Sequence, residues 1–134
     1  MTDQAQPTEH RTEFEVRDYE LDAQAVVNNG VYFGYFEHAR HRWLMDQDVD
    51  FVELHSRGID PVVVEANIRY DKPLVSGDRF VVATSVRKQG ALRYIFDQRI
   101  ERTSTGDICT QATITAAILK NGRPARLPEL DALL

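Results

Sequence analysis

The stretch from Arg17 to Leu44, RDYELDAQAVVNNGVYFGYFEHARHRWL, sets one carboxylate, Asp22, a short loop ahead of Asn28, Asn29 and Gly30. An aromatic-rich helical pattern begins directly after them. A helix start carries unpaired N–H groups and the positive end of the helix dipole. An acid beside such a start has two physical readings. As a cap or Asx-turn it holds the loop together, and Asn28 and Asn29 are themselves ordinary N-cap residues. As a catalyst it attacks a carbonyl, or takes a proton from a water that attacks, while amides around Asn28 to Val31 receive the charge gathering on oxygen. Gly30 adds no side chain to the approach path. The residues alone leave both readings open, and the two are compatible.

Other reactive side chains are fewer. His38 and His41 stand three apart in the helical pattern, but no third ligand sits at a plausible spacing, so no metal site is expected. Cys109 is the sole cysteine. It cannot close an intramolecular disulfide and reads as a small core residue. Glu65 lies between Val63, Val64 and Asn67, where a carboxylate needs a reason; an ion pair with Arg69 would be one. Lys120, Arg123 and Arg126 form a basic cluster in a chain of net charge −5. That balance argues against a general nucleic-acid binder.

Something must hold these groups. Tyr32, Tyr35, Phe36, Ala39 and Trp43 recur at helical spacing and predict one buried helix over Val31 to about Met45, with Asn28 or Asn29 as N-cap. Val31, Phe33 and Gly34 widen its apolar surface, so the first half is expected to be enclosed. His38, Arg40, His41 and Arg42, in the second half, need water or partners. A short helix is expected over DFVELHSRG with Gly58 as its stop.

Before the helix, RTEFEVRDY alternates as a first strand; after Gly58 everything alternates. PVVVEANIRYDKP puts Val62, Val64, Ala66, Ile68 and Tyr70 on one face, and Val63, Glu65 and Asn67 on the other. DRFVVATSVRK, ALRYIFDQRIER and DICTQATITAAILK follow, separated by turns at 76–78, 88–91 and 104–107, with a last one at 121–124. Hairpin-length connections imply antiparallel pairing among the last three strands.

One helix this apolar needs a concave surface, so the fold class is α+β, a curved antiparallel sheet wrapped around one long helix. The expected organisation is a tail at 1–10, a single domain at 11–128 and a C-terminal tail at 129–134. Open sheet edges favour a homodimer, or a homotetramer built from dimers. The polar N-terminus has no apolar leader, and no apolar run approaches a membrane span, so a cytoplasmic protein without a membrane partner is expected.

Strand, ELDAQAVVNNGVYFGYFEHAR, buried helix and long meander together resemble the hotdog-fold thioesterases of the 4-hydroxybenzoyl-CoA thioesterase type. With SGDRFVV downstream, the match is similar to the plant acyl-lipid or methylketone-synthase-type thioesterases and their bacterial relatives, over roughly residues 11–128. Ala25-Val26 stand where the family often has glycine or histidine. The resemblance implies that Asp22 acts as nucleophile or general base without a cofactor, and that a backbone N–H at Asn29 serves the oxyanion. It implies a water-positioning role for Glu65, and acyl-pocket lining for Tyr32, Tyr35 and Phe36 beside their core role. The substrate implied is an acyl-ACP or acyl-CoA thioester, whose phosphates or acidic carrier would meet Lys120, Arg123 and Arg126. A medium to long chain is expected, with a β-ketoacyl chain among the candidates and an aromatic CoA thioester as the alternative. A non-catalytic acyl-binding module is the rival of another class.

Overall fold

The computed structural model describes residues 9–134. The expected tail at 1–10 lies outside the described residues up to residue 8. Its last residue, His10, opens β1 (His10–Glu15), and the His10 ring hydrogen-bonds the Asp46 carboxylate at 3.0 Å. A single 3-10 turn, Asp18–Glu20, leads into the loop that carries Asp22. Then come α1 (Asn29–Asp46), α2 (Phe51–Ser56), β2 (Ile59–Tyr70), β3 (Arg79–Gln89), β4 (Arg93–Arg102) and β5 (Ile108–Lys120). Two short elements close the chain, β6 (Arg123–Ala125) and α3 (Pro128–Asp131).

The strands form one antiparallel sheet in the order β1-β3-β4-β5-β2. β5 is its spine. It pairs with β2 along one side; on the other it pairs with β4 as far as Ala117, and β6 takes over from Ile118. β1 and β2 are left as the edges. The sheet curls around α1, which sends Tyr32, Tyr35, Phe36, Ala39 and Trp43 into a core with Phe80, Val82, Phe96, Ile100, Ile114 and Ile118. Each large apolar side chain buried there contributes about 1.5–3 kcal/mol against the ordering cost of the chain. The helical stripe and the strand periods therefore meet as expected, in a hotdog arrangement.

Four details differ from the sequence expectation. β2 carries a bulge between Val63 and Glu65, which shifts the register by one. Val63 then lies opposite Ala116 and Ala66 opposite Ile114, on the face that α1 covers, while Val62 and Glu65 lie opposite Ala117 and Thr115 on the outer face. An extra residue flips the alternation, so Val62 and Val63 exchange the faces expected of them. Second, Phe33 and Gly34 are exposed rather than enclosed, because the sheet wraps only the Tyr32–Trp43 side of the helix. Third, Arg40 is buried, at 5% exposure. Fourth, 129–134 is no loose tail: Leu130 is buried in α3, and the Tyr94 hydroxyl donates to the Asp131 carboxylate.

Candidate active site

The loop from Leu21 to Val27 is closed by its own backbone. Leu21 and Val27 form an isolated bridge, the Asp22 N–H donates to Val26 O at 2.8 Å, and the Ala25 N–H donates to Asp22 O at 3.0 Å. Such tight closure puts Ala25 in the left-handed region, φ 61°. The loop is also pinned from outside, by Val27 N–H to Leu74 O and Asn28 N–H to Glu20 O, both at 2.9 Å. Glu20 is held in turn, its carboxylate accepting from the Tyr35 hydroxyl at 2.7 Å and the Arg17 N–H at 2.8 Å. Burial and that neighbouring carboxylate keep the Tyr35 phenol protonated far above neutral pH.

Within this frame the half-buried Asp22 has its two oxygens in different settings. Oδ1 accepts from the Gln24 N–H at 2.8 Å, which is the Asx-turn reading. One oxygen holds the loop, and the other, Oδ2, makes no hydrogen bond among the described residues.

The helix start is more selective than its sequence suggests. Asn28 is the N-cap, and its side chain accepts the Gly30 N–H at 2.9 Å. The Val31 N–H goes to Asn28 O, and the Asn28 N–H to Glu20 O. That leaves the Asn29 N–H as the one amide of Asn28–Val31 without an acceptor among the described residues. A free donor at the positive end of an 18-residue helix is a fitting place for an oxyanion. From the sheet, the Tyr70 hydroxyl at the end of β2 donates to Asn29 O at 3.1 Å and fixes the helix start against that edge.

The other expected site residues are distributed differently. Tyr32, Tyr35 and Phe36 are packed in the core at 3%, 5% and 0% exposure. Glu65 lies on the outer face of β2, without an ion pair to Arg69, which turns to Asp71 at 2.9 Å. Lys120, Arg123 and Arg126 are exposed at the far end of β5, which runs roughly 33 Å from the Thr110 that pairs with Tyr70 to Lys120. Within one chain neither group reaches Asp22.

Two clefts flank α1. The one toward β1, about 1290 Å³, has a mixed charged rim of Glu13, Glu15, Asp18 and Glu20 with Arg17 and Arg79. The one toward β2, about 460 Å³, is mostly apolar, with Phe33, Leu44, Val63, Phe96 and Ile118 in its lining beside Glu37, Arg40, His41 and Asp60. Phe33, one turn along α1 from Asn29, is in its lining, whereas Gly30 lines the cleft toward β1. Sequence reasoning missed Phe33 and Val63 as lining because the bulge and the one-sided wrap decide which residues face the cleft.

Comparison with known proteins identifies the family and the fold. The thioesterase-like superfamily matches residues 16–132. A chloroplastic acyl-acyl carrier protein thioesterase of Arabidopsis thaliana is 37% identical over 120 residues, covering 89% of this chain and 63% of the relative. A second from the same plant is 38% identical over 120 residues, covering 89% and 64%. The chain thus spans less than two thirds of the length of these plant relatives. The long-chain acyl-CoA thioesterase FadM of Escherichia coli is 31% identical over 105 residues, covering 78% of this chain and 79% of the relative. Among solved structures, a 1,4-dihydroxy-2-naphthoyl-CoA thioesterase from Synechocystis superposes with a TM-score of 0.89 at 20% identity, covering 94% and 95% of the two chains, a likeness of fold.

Proposed function

Because the chain belongs to the thioesterase-like superfamily, we propose that it hydrolyses acyl-ACP or acyl-CoA thioesters to the free acid. The observation that carries this reading is the pairing of two unspent groups on one short segment, the Oδ2 of Asp22 and the N–H of Asn29. The carboxylate attacks the thioester carbonyl or activates a water, and the Asn29 amide receives the charge that develops on the carbonyl oxygen. Gly30 keeps the approach open, and Asn28 holds the first turn so that the Asn29 amide points outward. Attack gives a tetrahedral centre; its collapse expels the thiolate, which leaves as thiol once protonated, and on the nucleophilic route water then cleaves the acyl–Asp22 anhydride to release the acid and restore the carboxylate.

The acyl group lies in the α1–β2 cleft, past Phe33, and its length is medium to long. The apolar lining of that cleft supports this, since each buried methylene gains roughly 0.8 kcal/mol. A β-ketoacyl chain fits the same space. The names of the plant and Escherichia coli relatives, acyl-acyl carrier protein and long-chain acyl-CoA thioesterases, point the same way.

The working unit is a homodimer joined through β2, or a tetramer of such dimers, because β2 is an open edge beside the cleft. Two β2 edges related by a two-fold run antiparallel. That sets the Ile59 end of one chain, with Lys120, Arg123 and Arg126 near it, against the partner's Tyr70 end. The basic cluster then serves the partner's site, where it meets the phosphates or acidic carrier of the substrate. Glu65, on the outer face, is kept as a water-positioning group only if that pairing brings it to the site.

A panel of acyl-CoA and acyl-ACP thioesters of increasing length, beside benzoyl-type thioesters, tests the reading with a thiol reagent as readout. We expect kcat/KM to climb with chain length until the cleft is full. A tenfold preference for the aromatic thioester would overturn the chain reading, and no turnover of any thioester would overturn the activity.

A further inference from the structure

The mostly apolar cleft between α1 and β2 contains a buried cation that no ion pair neutralises among the described residues; the nearby Glu37 charge favours it and the Phe33 ring lies 5.8 Å from it. Arg40 is 95% buried by exposure of 5%, yet it lines this cleft. Its guanidinium has five donors. One of its nitrogens, Nη1, donates to Gln98 Oε1 at 3.1 Å, and no carboxylate forms an ion pair with it among the described residues. Gln98 is itself fixed, its amide donating to Phe36 O at 3.1 Å and Thr84 Oγ1 at 3.0 Å, so it presents its oxygen to Arg40 and cannot turn away. Nε and Nη2 have no acceptors among the described residues. Burial pushes the guanidinium down to about 10, which leaves it charged at neutral pH.

A buried unpaired cation is costly, and the cost falls when an anion with two acceptor oxygens docks on it. The surroundings define what else that anion must carry. Phe33, Leu44, Phe96, Ile118 and Leu127 line the same space, so the complement of the cleft is an alkyl body with an anionic head. The available 460 Å³ is enough for roughly fifteen groups the size of a water molecule. Three other titratable side chains line the cleft. Asp60 is taken by the His55 ring, burial lowers the pKa of His41, and Glu37 is exposed and unpaired.

We propose that the α1–β2 cleft is a binding site for a free medium-chain carboxylic acid, with its carboxylate on Arg40 and its alkyl chain along the apolar wall. Such an acid occupies the space assigned above to the acyl chain, so the reaction's own product class restrains turnover. Glu37, exposed in the cleft lining and without an ion pair among the described residues, competes with the bound carboxylate for Arg40 and weakens the site.

The single tryptophan offers a direct readout. Trp43 is buried with its ring edge-on to Phe96, 6.3 Å between centroids, and Phe96 is part of the cleft wall. Titrating the purified protein with octanoate, 1-octanol and octylamine while following tryptophan fluorescence should give saturable binding of octanoate at least tenfold tighter than of the alcohol, and weakest for the amine. Arg40→Gln should bring octanoate down to the alcohol's affinity, and Glu37→Gln should tighten it. Equal affinities for octanoate and octanol in the wild type overturn the proposal, as does a preference that survives Arg40→Gln. Absence of saturable binding for all three, as a second copy sealing the cleft would produce, also overturns it. Should Arg40→Gln fail to fold, the wild-type comparison and Glu37→Gln decide. No turnover is involved, so the outcome is separate from that of the thioester panel.

Discussion

Replacing Asp22 separates the two things its carboxylate does. Asp22→Asn keeps an oxygen at Oδ1, so the bond from the Gln24 N–H at 2.8 Å survives and the loop stays closed. What it removes is the charge and basicity of Oδ2. Turnover should fall about 10²–10⁴-fold, equivalent to about 2.7–5.4 kcal/mol of transition-state stabilisation. Asp22→Ala removes the charge and the turn together. One net hydrogen bond is worth about 0.5–1.5 kcal/mol, and a chain of this size loses about 3–5 °C in Tm per kcal/mol. The alanine variant should therefore melt about 2–7 °C lower, and the asparagine variant within a degree or so of wild type. Thioester turnover and thermal melting on the three proteins, measured side by side, give the answer. Asparagine with near-wild-type turnover would refute the chemical role. Asparagine melting as low as alanine would refute the claim that Oδ1 holds the loop.

Gly58 sits at φ 75°, and a Cβ there would run into Asn121 Oδ1, whereas Gly77 at φ 80° has nothing within 4 Å. Gly58→Ala should cost about 1–2 kcal/mol of backbone strain plus the displacement of Asn121, and urea unfolding should rank it below Gly77→Ala; equal losses would show that Asn121 gives way freely. Reversing charge at Lys120, Arg123 and Arg126 should raise KM at least tenfold for CoA or ACP thioesters, more so at low salt, and little for an acyl thioester of a neutral short thiol; an equal change for both would place the cluster outside carrier binding. The Tyr94 hydroxyl, first, and Lys88 hold the pKa of Asp131 below its usual value. A depressed carboxylate stabilises the fold above the unfolded value of about 3.9 and loses that contribution as pH falls through the folded one. The Tm gap between wild type and Asp131→Asn should accordingly be full above about pH 5 and narrow as pH falls below about 4, and a gap independent of pH would contradict the assignment.

Much of this was legible in the chain. Two asparagines before a stripe at helical spacing announce α1, because capping and amphipathicity are local properties. β3, β4 and β5 are equally plain, each alternating between turns. Three features were not legible. The Val62–Val64 run is apolar on both sides, so nothing local says where a bulge resets the alternation. Arg40 reads as a solvent-facing residue because periodicity sorts by polarity, and its burial depends on Gln98, 58 positions away. β6 and α3 are too short to have a period; they exist because Leu127 and Leu130 pack into the core and Tyr94 meets Asp131. At the site, the acid and the helix start were legible and the resemblance pointed to the Asn29 amide; what the structure adds is that the amides of Asn28, Gly30 and Val31 are already bonded.

The position of β5 as the spine of the sheet has a consequence for how the chain is made. β2 ends at Tyr70, and its partner begins at Ile108. During synthesis, the aromatic face of α1 and the whole length of β2 therefore emerge well before the strand that pairs with β2 and helps to cover the helix. Contacts of such long sequence separation form late and slowly. Until β5 leaves the ribosome, the nascent chain carries a greasy helix and an unpaired strand, the two features that chaperones bind and that aggregation exploits. A message truncated before Ile108 would yield no smaller version of this domain, only its most adhesive part.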